Sequence, residues 1–158
     1  MARSDERRKD RIIGELTHGF EGRSFLVLTH DGVPSGAFRE IRAELSPEAT
    51  LRVTKGTLGR ISAGRAGLPD GISAMIRGPV AIAFVDGDIA ATARLLSGAT
   101  AHGLAARGGL DGTRVLSSSD VAALASIGSR RSALERAARA MAAPLSTLAA
   151  ALRAREQS

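Results

Sequence analysis

The sequence predicts an α/β fold: a single domain with a mixed sheet flanked by helices, followed by a C-terminal amphipathic helix. Three observations carry this. Short apolar runs bounded by Gly, Pro and Asp alternate with stretches of helical periodicity as far as about residue 126. Charge is concentrated at the two ends: residues 1–66 have a net charge of +3, 67–106 of −1 and 107–158 of +4. After residue 129 the apolar residues step by three or four with no strand to pack against. The expected division is 1–128 for the α/β domain and 129–158 for a helical tail.

The elements follow in order. Ile12, Ile13, Leu16 and Phe20 recur at helical spacing, so 4–20 reads as a helix with Ser4 as its cap. Ser24–Thr29 reads as a buried strand, ended by the turn residues His30 to Gly36. Ser35 can cap a helix over 36–45, with Phe38, Ile41 and Leu45 on one face and Pro47 as its stop. Leu51–Lys55 alternates as a strand does, and Thr57 can open a short helix through Ile61. Ile72–Ile76 is a short apolar segment. Gly78-Pro79 turns into Val80–Val85, the clearest buried strand. Asp86-Gly87-Asp88 starts a helix over about 88–101. Leu104–Gly109 is a weaker strand, 110–113 is turn-like, and Ser119-Asp120 caps a helix over 120–126. Ser129 opens the tail, whose stripe of Leu134, Ala138, Met141, Leu145, Leu148 and Leu152 is interrupted by Pro144. That stripe can dock on its own domain or on a partner helix.

Composition narrows the chemistry. The chain has 158 residues, 44% of them hydrophobic, which argues for a folded core. No apolar run reaches the roughly 18 residues of a membrane span, and the N-terminus has neither the apolar core of a secretory signal nor the acid-poor character of a transit peptide. With no cysteine, disulfides, thiol catalysis and cysteine-held zinc are excluded. Lys9 and Lys55 are the only lysines, and the other twenty cations are arginines. That excess reads either as GC-rich codon usage or as phosphate binding, since guanidinium pairs bidentately with phosphate. With no Tyr or Trp, recognition by base stacking is poorly supported, and a nucleic acid would be read by shape and backbone.

No catalytic or metal constellation stands out, and no cofactor is expected. His18, His30 and His102 are far apart and form no ligand pair. No nucleophile elbow, phosphate-loop spacing or persuasive carboxylate pair is present. Cations crowd the first helix, and Arg52, Lys55 and Arg60 cluster around the second strand. Arg52 and Lys55, three apart, fall on opposite faces of a flat strand. Lys55 beside a Gly-Thr helix start is the most pointed feature, because a helix N-terminus presents unpaired N–H groups to an anion. Its bland counterpart is a solvated surface charge. A phosphorylated ligand bound there by a small enzyme lacks a catalytic pair.

The order and wording of several segments resemble the bacterial large-subunit ribosomal protein L-ten family, the stalk-base proteins. Phe25-Leu-Val-Leu-Thr-His-Asp-Gly-Val33 resembles the family's first strand and turn, and Phe38-Arg-Glu-Ile-Arg-Ala-Glu-Leu45 the helix that follows. Leu51-Arg-Val-Thr-Lys-Gly-Thr-Leu-Gly-Arg60 is similar to its Val-Val-Lys-Asn-Thr-Leu segment. Ile76-Arg-Gly-Pro-Val-Ala-Ile-Ala-Phe84 resembles its Gly-Pro-Thr-Ala-Ile-Ala strand. Leu124-Ala-Ser-Ile-Gly-Ser-Arg130 and Met141-Ala-Ala-Pro144 are similar to its final step and tail. Each motif is short, and their collinear order makes the set specific.

The resemblance implies a non-enzymatic ribosomal component in the cytoplasm, binding large-subunit rRNA at the stalk base beside ribosomal protein L-eleven. It also implies a tail that anchors dimers of the acidic stalk protein L-seven/L-twelve, which recruit translational GTPases. No membrane partner is implied. RNA contacts carried over by position fall on Arg3, Arg7, Arg8 and Lys9, on His30 and Gly32, and on Lys55, Gly56 and Thr57, with Arg42 and Arg60 in support. Stalk-protein contacts fall on Leu145, Leu148 and Leu152. The chain departs from the family pattern at Asp31, where an Arg is usual, at Gly56, usually Asn, and at Gly128, usually Pro. The alternative on the same fold is an extra-ribosomal repressor or ribosome assembly factor.

Overall fold

A computed structural model describes residues 2–127 and 134–135, with side chains from residue 6 onward. The expected tail, including Leu145, Leu148 and Leu152, lies outside the described residues. The order is α1 (Ala2–Phe20), β1 (Phe25–His30), α2 (Ser35–Leu45), β2 (Ala49–Lys55), α3 (Gly56–Arg65), α4 (Asp70–Met75), β3 (Pro79–Val85), α5 (Ile89–Gly98), a 3-10 turn (Ala99–His102), β4 (Leu104–Asp111), β5 (Arg114–Ser117) and α6 (Ser118–Ile127).

The sheet runs β2-β3-β1-β4-β5, and every pairing is antiparallel. The α/β class and the flanking helices are as the sequence predicts, but the sheet is antiparallel rather than mixed. Alternation of strands and helices predicts parallel strands, and β1 and β2, joined through α2, do run the same way. They are not neighbours, because β3 inserts between them. Likewise β1 inserts between β3 and β4, which gives two interleaved split βαβ units.

Period-two patterning supplies both faces of the sheet. Leu26, Leu28, Leu51, Ala81 and Ala83 face α2, α5 and α6 through Phe38, Ile41, Leu45, Ala93, Leu96 and Val121. Phe25, Val27, Val80, Ile82 and Phe84 face α1, α3 and α4 through Leu16, Phe20, Ala63 and Ile72. On this second face Phe20 stands edge-on to Phe25 at 4.8 Å and to Phe84 at 5.4 Å. Such pairing adds directional preference to the area buried. A central sheet covered on both sides explains why β1 and β3 are almost wholly apolar.

Local signals explain the boundaries. Asp88 caps α5 by accepting from the Ala90 N–H at 2.8 Å. Ser46 turns extended before Pro47 and ends α2, as a residue preceding proline prefers. Four helix starts differ from expectation: α1 begins at Ala2, so Ser4 sits inside its first turn; Ser35 is itself helical after Pro34; α3 begins at Gly56, one residue before Thr57; and α6 begins at Ser118, so Ser119 and Asp120 lie in its first turn. The segment 72–76 forms most of α4, and Leu110-Asp111 continues β4 instead of turning. In β4 the pairing shifts between Val27 and Leu28, leaving Arg107 as the extra residue of a bulge. The bulge sends its guanidinium to the carbonyls of Arg77 at 2.8 Å and Met75 at 3.2 Å, tying β4 to the end of α4.

Candidate nucleic-acid interface

The C-terminal ends of β1 and β2 and the N-terminal ends of β3 and β4 meet at one end of the sheet, where Lys55 pairs with Pro79 and His30 with Leu104. The β2–α3 junction is fixed there by backbone. The Gly56 N–H donates to the Gly78 carbonyl at 2.9 Å. A Cβ at Gly56 would stand 2.5 Å from that oxygen, so the junction has no room for a side chain. The close approach of the two backbones suits glycine at this position. The next two amides, of Thr57 and Leu58, open α3 with no preceding turn to bond to.

Two concavities flank this junction. One is a cleft of about 960 Å³ between α1 and the edge strand β2. Arg8 and Lys9 approach it from α1, Arg52 and Lys55 from β2, and Thr57 from α3. Glu15 sits among these cations, 3.6 Å from the Arg11 Nε and 3.8 Å from an Arg52 guanidinium nitrogen. The other is a shallow depression of about 590 Å³ at the sheet end, bounded by His30, Val53, Lys55, Gly56, Arg60 and Pro79 among others. Val53, Thr54, Lys55 and Thr57 border both. Arg8, Lys9, Lys55 and Arg60 are exposed and make no ion pair among the described residues. Their charge is therefore available to an anion.

The structure thus gathers Arg8, Lys9, Lys55, Gly56, Thr57, Arg60 and His30 from three separate segments. Gly32 lies at the same sheet end, in the turn after β1, with φ +66°. Arg7 is exposed on α1 outside both concavities, and the Arg3 side chain lies outside the described ones. Arg42 is placed elsewhere. Its Nε donates to the Leu51 carbonyl at 3.2 Å and its guanidinium lies 5.9 Å from the Phe38 ring centroid. It closes the free edge of β2 against α2. Glu15, Val53 and Pro79 are among the residues of the concavities that escaped sequence reasoning as site members. Arg52 and Lys55 do take opposite faces of β2, yet both reach the cleft, because Lys55 stands where the strand turns into α3. Period-two reasoning stops at a strand's last residue.

The opposite end of the sheet is acidic and internally bonded. Asp86 pairs with Arg23 at 3.0 Å and accepts from Thr50 at 3.1 Å, while Asp111 accepts from Ser24 at 2.9 Å. Glu48 accepts the Asp88 N–H at 3.1 Å. The acids at this end are engaged by hydrogen bonds and by Arg23, whereas Lys55 and Arg60 at the other end make no ion pair among the described residues. Among the described residues no group of three or more His, Asp or Glu is arranged to hold a metal ion, and no helix is long and apolar enough to cross a membrane.

The family model described as ribosomal protein L10 matches residues 4–100. The large ribosomal subunit protein uL10 of Cutibacterium acnes is 34% identical over 152 residues, 94% of this chain and 72% of that protein. The uL10 of Beutenbergia cavernae is 37% identical over 148 residues, covering 92% and 83%. That of Micrococcus luteus is 36% identical over 149 residues, covering 92% and 86%.

Proposed function

The chain belongs to the ribosomal protein L10 family, structural proteins of the large ribosomal subunit rather than enzymes, and from that membership we propose that its cationic sheet end binds large-subunit rRNA. The observation that carries this reading is the convergence of Arg8, Lys9, Lys55 and Arg60, free of ion pairs among the described residues, around the open N-terminus of α3. Phosphates gain from both the point charges and the unpaired amides. Binding of this kind reads the shape and backbone of RNA and weakens steeply with salt. Asp31, exposed in the turn after β1, places a negative charge at the same end of the sheet, outside both concavities, and disfavours RNA phosphates on that side.

The second half of the proposal concerns the tail, residues 129–158, with Leu145, Leu148 and Leu152 as its contacts. Its sequence stripe suits an apolar groove on the acidic stalk protein L-seven/L-twelve, and Arg153 and Arg155 complement that protein's charge. Ribosomal protein L-eleven is the proposed neighbour on the RNA.

The test uses the full chain with two baits. The stalk-base rRNA fragment is titrated across salt against wild type and Lys55→Ala/Arg60→Ala. The double variant is expected to weaken binding and to reduce the slope of log affinity on log salt by about 2, because two fewer phosphates are neutralised. The stalk protein is then copurified with wild type and with Leu145→Ala/Leu148→Ala/Leu152→Ala, which should lose it while keeping the RNA. RNA binding with no capture of the stalk protein by wild type selects the repressor or assembly-factor reading. An unchanged salt slope in the double variant removes the sheet end as the RNA site.

A further inference from the structure

The depression at the sheet end differs in kind from the cleft beside α1. Its apolar lining includes Val53 and Pro79 and, beside them, the His30 ring, which stands edge-on to Phe38 at 5.5 Å; these come from three adjacent strands, and the exposed cations Lys55 and Arg60 line it too. Lys55 and Pro79 are register partners, and His30 follows Thr29, which faces Val80, so the three strand ends form one row. Val53 is 42% exposed on a strand otherwise built to bury its apolar residues. A surface meant only for duplex phosphates needs the cations and not the apolar lining. An apolar lining with cations beside it complements a group with a flat, poorly hydrated body and an anionic end.

Resting on the RNA-binding reading, we infer that this depression receives one unpaired nucleotide of the RNA. The base lies on Val53 and Pro79 with the His30 ring at its end, and the phosphate meets Lys55 and Arg60. At about 590 Å³ the depression has room for a single nucleotide. A base inside an A-form helix is not available to such a surface, whereas a bulged or loop base is. The near absence of aromatic residues is compatible with one captured base, because the apolar lining is aliphatic and works by burial of apolar area.

The experiment compares two hairpin RNAs with equal numbers of phosphates, one fully paired and one carrying a single bulged 2-aminopurine. Wild type is expected to bind the bulged RNA about five-fold or more tightly, with a change in 2-aminopurine fluorescence on binding. Val53→Ser should bring that preference close to one. Ile61→Ser, an exposed apolar residue on α3 outside the depression, should leave it intact. Equal affinity for the two RNAs overturns the inference while leaving the RNA-binding reading standing, and makes the depression a contact for a protein neighbour. Failure to bind either RNA overturns both. A preference that survives Val53→Ser places base capture elsewhere and overturns the assignment.

Discussion

Gly56 and Glu15 have opposite effects on the same site. Gly56 lets backbone touch backbone, and restoring the asparagine usual in the family forces the β2–α3 junction apart. Gly56→Asn is expected to cost about 1–3 kcal/mol, as overpacking does, and to lower the thermal midpoint in a melt of the purified chain. Glu15 is an internal counter-ion that occupies Arg11 and Arg52 and lowers the net charge of the cleft. Exposed pairs of this type contribute little to stability, so Glu15→Gln should leave the melt nearly unchanged. It should instead tighten RNA binding a few-fold at low salt, an advantage that fades as screening increases. Unaltered affinity in a salt titration would take Glu15 out of the interface. Neither role is visible in a linear sequence. Gly56 reads as a helix start and Glu15 as a solvated helix acid until the fold brings Gly78 and Arg52 to them.

At the scale of elements, α6 shows how a short helix is held at its first turn. The Ser117 N–H donates to the Asp120 carboxylate at 2.8 Å, and the Asp120 N–H donates back to the Ser117 hydroxyl at 3.2 Å. This reciprocal cap resembles a capping box. The hydrogen bonds from Ser117, side chain first and then backbone, with a smaller contribution from Arg114, hold the Asp120 carboxyl below its ordinary value of 3.8. A carboxylate lowered in the folded state stabilises above the unfolded value and loses that contribution as pH falls through the folded one. The protection of α6 amides, taken relative to the intrinsic exchange rate at each pH, should therefore fall selectively below about pH 4, and Asp120→Asn should abolish that selectivity. In the α1-side core, Phe20→Ala is expected to cost about 3–5 kcal/mol in denaturant unfolding, since it removes the ring between Phe25 and Phe84. The runs that build β1 and β3 and the stripes of α1 and α2 were legible because burial imposes a period on them. β5 was not. Its four residues alternate too briefly, and only Leu116 is buried, so pairing with β4 creates the strand rather than its own pattern. The antiparallel sheet was hidden for a related reason: strand direction is decided by which later segment inserts beside β1.

For the whole molecule, the buried core of the described residues extends as far as α6. The last buried apolar side chain among the described residues is Val121. A chain ending at residue 128 is expected to unfold cooperatively and to keep the RNA affinity of the full chain, while losing the stalk protein. A broad, non-cooperative melt for that fragment would show that the tail is part of the domain's core. The candidate interface was half legible, since the run of net charge along the chain located cations in its first part. That Lys55 and Arg60 stand beside His30 and Pro79 depended on the split βαβ order, which no local pattern encodes.

That strand order also governs the timing of synthesis. β1 occupies the middle of the sheet, yet both of its neighbours, β3 and β4, are made after it. At about 5–20 residues per second, Phe25 waits about 4–17 s before its partner Leu110 is polymerised. For about the first 3–12 s, until Phe84 is made, the stretch Phe25-Leu26-Val27-Leu28 has neither hydrogen-bonded edge satisfied, and its β4 edge stays open for the rest of the interval; such a segment pairs readily with other chains. A central, buried strand is therefore a vulnerable one in the nascent chain, and its safety depends on how quickly residues 79–111 follow.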